Sequence, residues 1–299
     1  MGNLVVLDAP SNLGLRPPAD GAVPGCYKTP GVLRDLGLLA ALGATDAGVV
    51  TPGRYLSTWE PGDGVRNSAA IAAYTRALAA RLAKVRAGGG FPVVLGGDCS
   101  IALAAALALR REGRYGIAYL DGHSDFRSLE NSPHVGAAAG EDLAIMTGRG
   151  APDLAEIDGL RPYVRDEDVV VLGVRERESG EVREAGIRAV ASESIMAGGV
   201  GEALSAARET FSGLDGFWVH VDIDVLDPEY VSAVDSPDPG GLDPETLVAL
   251  LRGLFALPGV AGFELTVFDP DLDPDGRQAR LVHDVLVKAF TDFRPGSTS

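Results

Sequence analysis

The chain has 299 residues, 46% of them hydrophobic, and a formal charge of −16 at pH 7. That length suits one large α/β domain, and that apolar fraction is enough for a sizeable core. The acidic balance argues against nucleic acid and anionic membrane as partners and suits a cationic substrate.

Residues 4–8 read as a first strand, and the absence of a basic stretch before them predicts no secretory leader. A helix over 30–42 and a strand over 48–51 follow. Next come a helix over 67–87 with Asn67 at its N-cap, a strand over 92–95, a helix over 100–111 and a strand over 116–120. The apolar run 101–109 ends in Arg110-Arg111 and is too short to cross a membrane. The remainder reads as helix 140–147, strands 169–174 and 187–190, helix 198–211 and strand 217–221. Helix 244–254 with Asp243 as N-cap, strand 260–265 and helix 278–290 complete the chain.

About eight strands alternating with helices predict an α/β fold: a three-layer α/β/α sandwich with a mainly parallel sheet, in one domain spanning 1–299. The long polar or Gly/Pro-rich segments 9–30, 52–66, 123–140 and 226–243 are expected on the rim of a site. Two cysteines, Cys26 and Cys99, cannot make a disulfide framework, and a soluble, cytoplasmic protein is expected.

Three apolar runs end in chemistry. Val93-Val94-Leu95 runs into Gly96-Gly97-Asp98-Cys99-Ser100. The run 115–120 ends in Asp121-Gly122-His123-Ser124-Asp125, and the run 217–221 ends in Asp222-Ile223-Asp224-Val225-Leu226-Asp227-Pro228. In an extended segment, Asp121, His123 and Asp125 point to one side, as do Asp222 and Asp224, with His220 one step deeper. Ionised carboxylates gathered out of water repel unless a cation sits among them. The three clusters together therefore predict a two-metal site that activates water near neutral pH. Taken singly, each has a plainer reading: a loop cap, a hydrogen-bonded histidine, a buried thiol.

In order and spacing these motifs resemble the arginase–agmatinase (ureohydrolase) family. The resemblance covers nearly the whole chain, including Asp8-Ala9-Pro10-Ser11-Asn12-Leu13-Gly14, Gly31-Val32-Leu33-Arg34 and Gly262-Phe263-Glu264-Leu265-Thr266. It implies that Asp121 and Asp222 bridge two divalent ions, usually Mn2+, that Cys99 and Asp125 complete one site, and that His123 and Asp224 complete the other. It further implies that Asp125 takes a proton in catalysis, that Glu264 holds a guanidinium group and that Glu178 lies near a substrate amino group. The implied activity is metal-dependent hydrolysis of a C–N bond in a guanidino or hydroxyguanidino compound, giving urea or a substituted urea and an amine. A cationic guanidino-type small molecule is the expected partner, and a homo-oligomer is compatible with the family.

Three departures stand out. Cys99 replaces the family histidine, as in its hydroxyarginine-hydrolysing branch, and a thiolate tilts the metal preference toward zinc, iron or cobalt. The pair Ala139-Gly140 stands where the family shows His-Gly, so a proton-shuttling histidine is missing there; His134, five residues upstream, is the nearest replacement. Arg127 stands where arginases show a polar residue that touches the substrate carboxylate. Formimino or amide hydrolysis on the same fold, and a catalytically silent metal-binding homologue, are the alternatives.

Overall fold

The computed structural model describes residues 3–134 and 136–296. Strands β1 (Asn3–Ala9), β2 (Thr45–Val49), β3 (Gly90–Gly96), β4 (Tyr115–Leu120), β5 (Val169–Leu172), β6 (Arg188–Val190), β7 (Gly216–Asp222) and β8 (Val260–Thr266) form one sheet. All pairings are parallel, in the order β2-β1-β3-β8-β7-β4-β5-β6. The expected strands are all present, with ends displaced by a few residues.

The helices are α1 (Thr29–Asp35), α2 (Leu38–Leu42), α3 (Ser68–Ala87), α4 (Ala102–Glu112), α5 (Asp142–Met146), α6 (Pro152–Ala155), α7 (Gly180–Glu184), α8 (Ser192–Gly198), α9 (Gly201–Thr210), α10 (Pro244–Phe255) and α11 (Arg277–Phe290). The helix expected over 30–42 is two helices, because Gly37 takes φ +85° and breaks the run between α1 and α2. Helices α6, α7 and α8 were not expected; none is long enough to show a clear 3.6-residue period. Asp243 caps α10 as predicted, accepting the Thr246 N–H at 2.7 Å. Asn67 does not cap α3. Its side chain instead ties the Leu56 N–H to the Leu13 carbonyl, with its own φ at +56°.

Alternation along the strands feeds two cores. Leu4 and Val6 of β1 face one side with α1, α2, α9, α10 and α11, whereas Leu7 and Ala9 face the other with α3, α4, α5 and α6. Strands β5 and β7 are buried along their whole lengths, as a sheet covered on both faces requires. Among the described residues no helix is long and apolar enough to cross a membrane.

The connections position the site. The chain leaves β3, forms α4 and returns as β4, but β8 and β7 lie between those two strands. The carboxyl ends of β3, β8, β7 and β4 therefore stand side by side, where open parallel sheets present their chemistry. The turn after β3 is clamped to the first loop: Gly97 N donates to Ala9 O (3.1 Å) and Asp98 N to Ser11 O (3.0 Å). A Cβ on Gly97 would lie 1.7 Å from the Ser11 carbonyl oxygen, while one on Gly31 in α1 would meet nothing within 4 Å. Gly97→Ala is thus expected to cost about 2–4 kcal/mol of unfolding free energy. Gly31→Ala should be neutral or gain up to about 1 kcal/mol. Urea unfolding of the two variants checks the pair.

Candidate metal centre

Each motif aims its carboxylates by using one oxygen on a backbone N–H and turning the other inward. Asp121 Oδ1 accepts the His123 N–H at 2.6 Å, which leaves Oδ2 buried and without a partner. Asp222 Oδ1 accepts the Asp224 N–H at 2.8 Å, and its Oδ2 meets the Cys99 thiol at 2.8 Å. Asp224 Oδ1 accepts the Gly122 N–H at 3.0 Å, and its Oδ2 lies 2.9 Å from His123 Nδ1. These are Asx-type turns beyond the strand ends, not the extended segments expected from the i, i+2, i+4 spacing. Only Asp222 is still in a strand; Asp224 lies in the short turn after β7, and Asp125 takes φ +41°. The side chains converge because the backbone curls over the sheet edge.

Cys99, Asp121, Asp222 and Asp224 are buried, and His123 and Asp125 are partly exposed toward the rim. Two groups of potential ligand atoms lie within 4.8 Å of one another: Cys99, Asp121 and His220, and Asp121, His123 and Asp224. Asp121 is common to both, the position a bridging carboxylate requires. Burial and the neighbouring acids push Asp121, Asp125 and Asp222 well above the usual carboxylate range, and burial with Asp222 pushes the Cys99 thiol up. Burial alone would lower the His123 pKa, but the hydrogen bond and charge of Asp224, with Asp121 and Asp238, raise it to about 9. Asp224 is held low against its burial by the same His123 contact. An unpartnered buried carboxylate oxygen beside a thiol, an imidazole and three more acids is a donor set that fits divalent cations.

Several residues that the motifs did not reveal support this centre. Arg175 is buried beneath the loop after β7, and its guanidinium donates to the carbonyls of Asp224, Val225, Leu226 and Asp238. The run Arg175-Glu176-Arg177-Glu178 is therefore solvated only in part. Tyr119 OH donates to Asp142 Oδ1 at 2.9 Å and to Asp125 Oδ2 at 3.2 Å. Thr266 Oγ1 lies 3.1 Å from Cys99 Sγ. A periodicity that assigns Tyr119 to a strand and ends the last strand at Leu265 says nothing of what Tyr119 and Thr266 touch. Cys26 is a separate buried thiol that donates to Ser11 O.

The expected substrate contacts divide. Arg127 and Glu178 line one cleft of ≈ 340 Å³, with Ser124, Asn131 and Glu181. Arg127 is exposed, and among the described residues its guanidinium has no ion-pair partner. Glu264 is not at this cleft. It is 1% exposed, paired in register with His220, and its Oε1 lies 2.9 Å from His220 Nδ1. It sits one strand step beneath Thr266 and Asp222, so a substrate lying above the acids would not reach it. The carboxylate expected to meet a guanidinium is engaged here by His220 instead of facing the cleft. His134 is exposed in its turn.

Residues 22–291 match the sequence model of the Arginase family. An arginase of Bacillus caldovelox is 30% identical over 97% of this chain and 98% of its own length. A formimidoylglutamase of Halobacterium salinarum is 32% identical over 94% of this chain and 86% of its own. The native crystal structure of the B. caldovelox arginase superposes with a TM-score of 0.87 at 28% identity, covering 98% of this chain and 99% of that one.

Beside the centre, Glu141 lies just before α5, fully buried, and neither carboxylate oxygen reaches a hydrogen-bond partner. Burial raises its pKa from 4.5 to about 7, and the Ala137 backbone offsets only part of that rise. A carboxyl group whose pKa is higher folded than unfolded holds its proton better when folded, so its contribution turns unfavourable as pH climbs from 4.5 and levels off above about 7. Glu141→Gln should match the parent near pH 4 and exceed it at pH 8 by up to about 3 kcal/mol. Chemical denaturation at the two pH values checks this.

Proposed function

The chain belongs to the arginase family, and from that premise we propose how this site carries out the family's chemistry. The protein is a hydrolase of C–N bonds in linear amidines, cleaving a guanidino-type compound. The observation that carries the site assignment is the convergence of Cys99, the Asp121 and Asp222 clusters and His123 at the ends of β3, β4 and β7. In this reading residues 1–299 act as one metallohydrolase domain of cytoplasmic location.

Asp121 and Asp222 would bridge two ions, Cys99 and Asp125 would complete one site, and His123 and Asp224 the other. Mn2+ is the family's usual ion, and the thiol favours a softer one at its own site. Bound divalent ions supply Lewis-acid polarisation and acidify water. Asp125 would accept the proton of the attacking water through the oxygen that Tyr119 leaves free. Arg127 offers a guanidinium to a carboxylate across the cleft, and Glu178 a carboxylate to an ammonium group. Those two opposite charges favour a substrate that carries an amino-acid end as well as a guanidino end. The negative surroundings of the centre favour the cationic end.

Three outcomes are expected. Because burial raises the proton affinity of the Cys99 thiol and of the Asp121 and Asp222 carboxylates, loading divalent ions should release protons, and affinity should rise with pH. Calorimetry in buffers of different ionisation enthalpy measures this release. Close to two ions should bind per chain, and Asp222→Ala should bind fewer; unchanged metal content in that variant would remove the bridging role. In a urea-release screen over guanidino acids, guanidino amines, hydroxyguanidines and formimino acids, carboxylate-bearing substrates should lead. Arg127→Ala should raise KM for them about tenfold or more, with kcat much less affected. Preference for guanidino amines would exclude the Arg127 assignment, and preference for formimino acids would move the substrate class.

A further inference from the structure

His220 is completely buried in the middle of the sheet, on β7 between Tyr119 of β4 and Glu264 of β8. Its ring stacks on Tyr119, with centroids 4.5 Å apart and planes 16° from parallel. Nδ1 lies 2.9 Å from Glu264 Oε1, and Nε2 has no partner. The stack and the carboxylate together fix the plane of the ring and engage Nδ1. With Nδ1–H donating to Glu264, the Nε2 lone pair is left free. A buried ring nitrogen without a partner is destabilising, so the arrangement lacks a component.

The missing component is indicated by the neighbours. A ring nitrogen of His220, a carboxylate oxygen of Asp121 and Cys99 Sγ lie within 4.8 Å of one another. Since Nδ1 is engaged by Glu264, Nε2 is the nitrogen available to this group. Imidazoles that bind metals commonly donate their second nitrogen to a carboxylate, which orients the ring and raises its basicity. His220 and Glu264 show that pairing.

We propose that His220 is a metal ligand through Nε2, sharing the Cys99 site, and that Glu264 is its positioning residue. The proposal rests on the two-metal reading above and changes one site of it. With His220 added, that site offers thiolate sulfur, imidazole nitrogen and carboxylate oxygen. The imidazole is neutral, so it adds a donor without adding charge to a centre already crowded with acids. Such an S/N/O set prefers zinc, cobalt or iron to manganese. The imidazole that position 99 lacks is thus returned from a strand two places away in the sheet.

The test begins with the wild-type protein loaded with zinc or cobalt(II). X-ray absorption should count about one imidazole per ion, from His123 and His220 over two ions; about half that number would overturn the proposal. The cobalt form should also show a thiolate-to-metal absorption band from Cys99. In His220→Gln, affinity at the thiolate site should fall at least about a hundredfold by chelator competition, with the second ion retained. Glu264→Gln should weaken that same site about 10- to 100-fold, as loss of such a supporting carboxylate does. Circular dichroism of the metal-free variants separates lost metal from lost fold, and the wild-type imidazole count decides the matter if His220→Gln does not fold. Unchanged affinity and an unchanged thiolate band in a folded His220→Gln protein would refute the His220 role alone. A wild-type protein that binds no metal would refute the two-metal reading and this inference with it.

Discussion

Burying several acids, a thiol and two imidazoles at neighbouring strand ends is the constraint on which the rest of this structure depends. Such a cluster cannot be ionised in a low-dielectric interior without compensating positive charge. The backbone supplies part of it: N–H groups of Gly122, His123 and Asp224 each donate to a carboxylate oxygen. The buried Arg175 supplies another part while tying down four carbonyls of the segment after β7. Among the buried atoms left without a partner are oxygens of Asp121, Asp142 and Glu264 and the His220 Nε2, a set that calls for a cation.

Holding the donors in place uses unusual backbone. Val267 follows the last residue of β8 with φ +74°, a conformation that a β-branched side chain strongly resists. Its N–H donates to Gly97 O, so the strained residue ties the end of β8 to the turn that presents Cys99. Asp98 completes that turn, accepting from Ser11 Oγ and from the Ser100 N–H. Asp125 at φ +41° is a second strained point. Strain concentrated beside ionisable groups is the arrangement found where geometry serves chemistry.

The departures from the family pattern lie on different sides of the centre. Cys99 lies on the inner side, among the candidate metal-binding groups, while Arg127 lies on the outer side, at the cleft. At 139 an alanine leaves no titrating group, and the buried acid two residues on, Glu141, is held close to neutral pH. Among the charged groups lining the cleft, Arg127 has no ion-pair partner among the described residues, which favours an anionic group at that end of the substrate.

Periodicity and punctuation were enough to place all eight strands and the long helices, because those signals are local and repeat. The strand-end motifs were legible for the same reason: a short apolar run followed by acids at fixed spacing is written in consecutive residues. The break at Gly37, the short helices α6 to α8 and the Asn67 side chain were not legible, since each depends on contacts too few or too distant to leave a period. The roles of Glu264, His220, Tyr119 and Arg175 belonged wholly to the tertiary structure. Read along the chain, Glu264 is an acid on a last strand and His220 a histidine before an Asp-x-Asp. Only the register that sets β7 between β4 and β8 puts Glu264 on His220, His220 on Tyr119, and all of them beneath the acids. Sequence spacing fixes which face of its own strand a side chain takes. What it meets there is fixed by strands as distant as Val93 from Phe263, through hydrogen-bond ladders that no local pattern encodes.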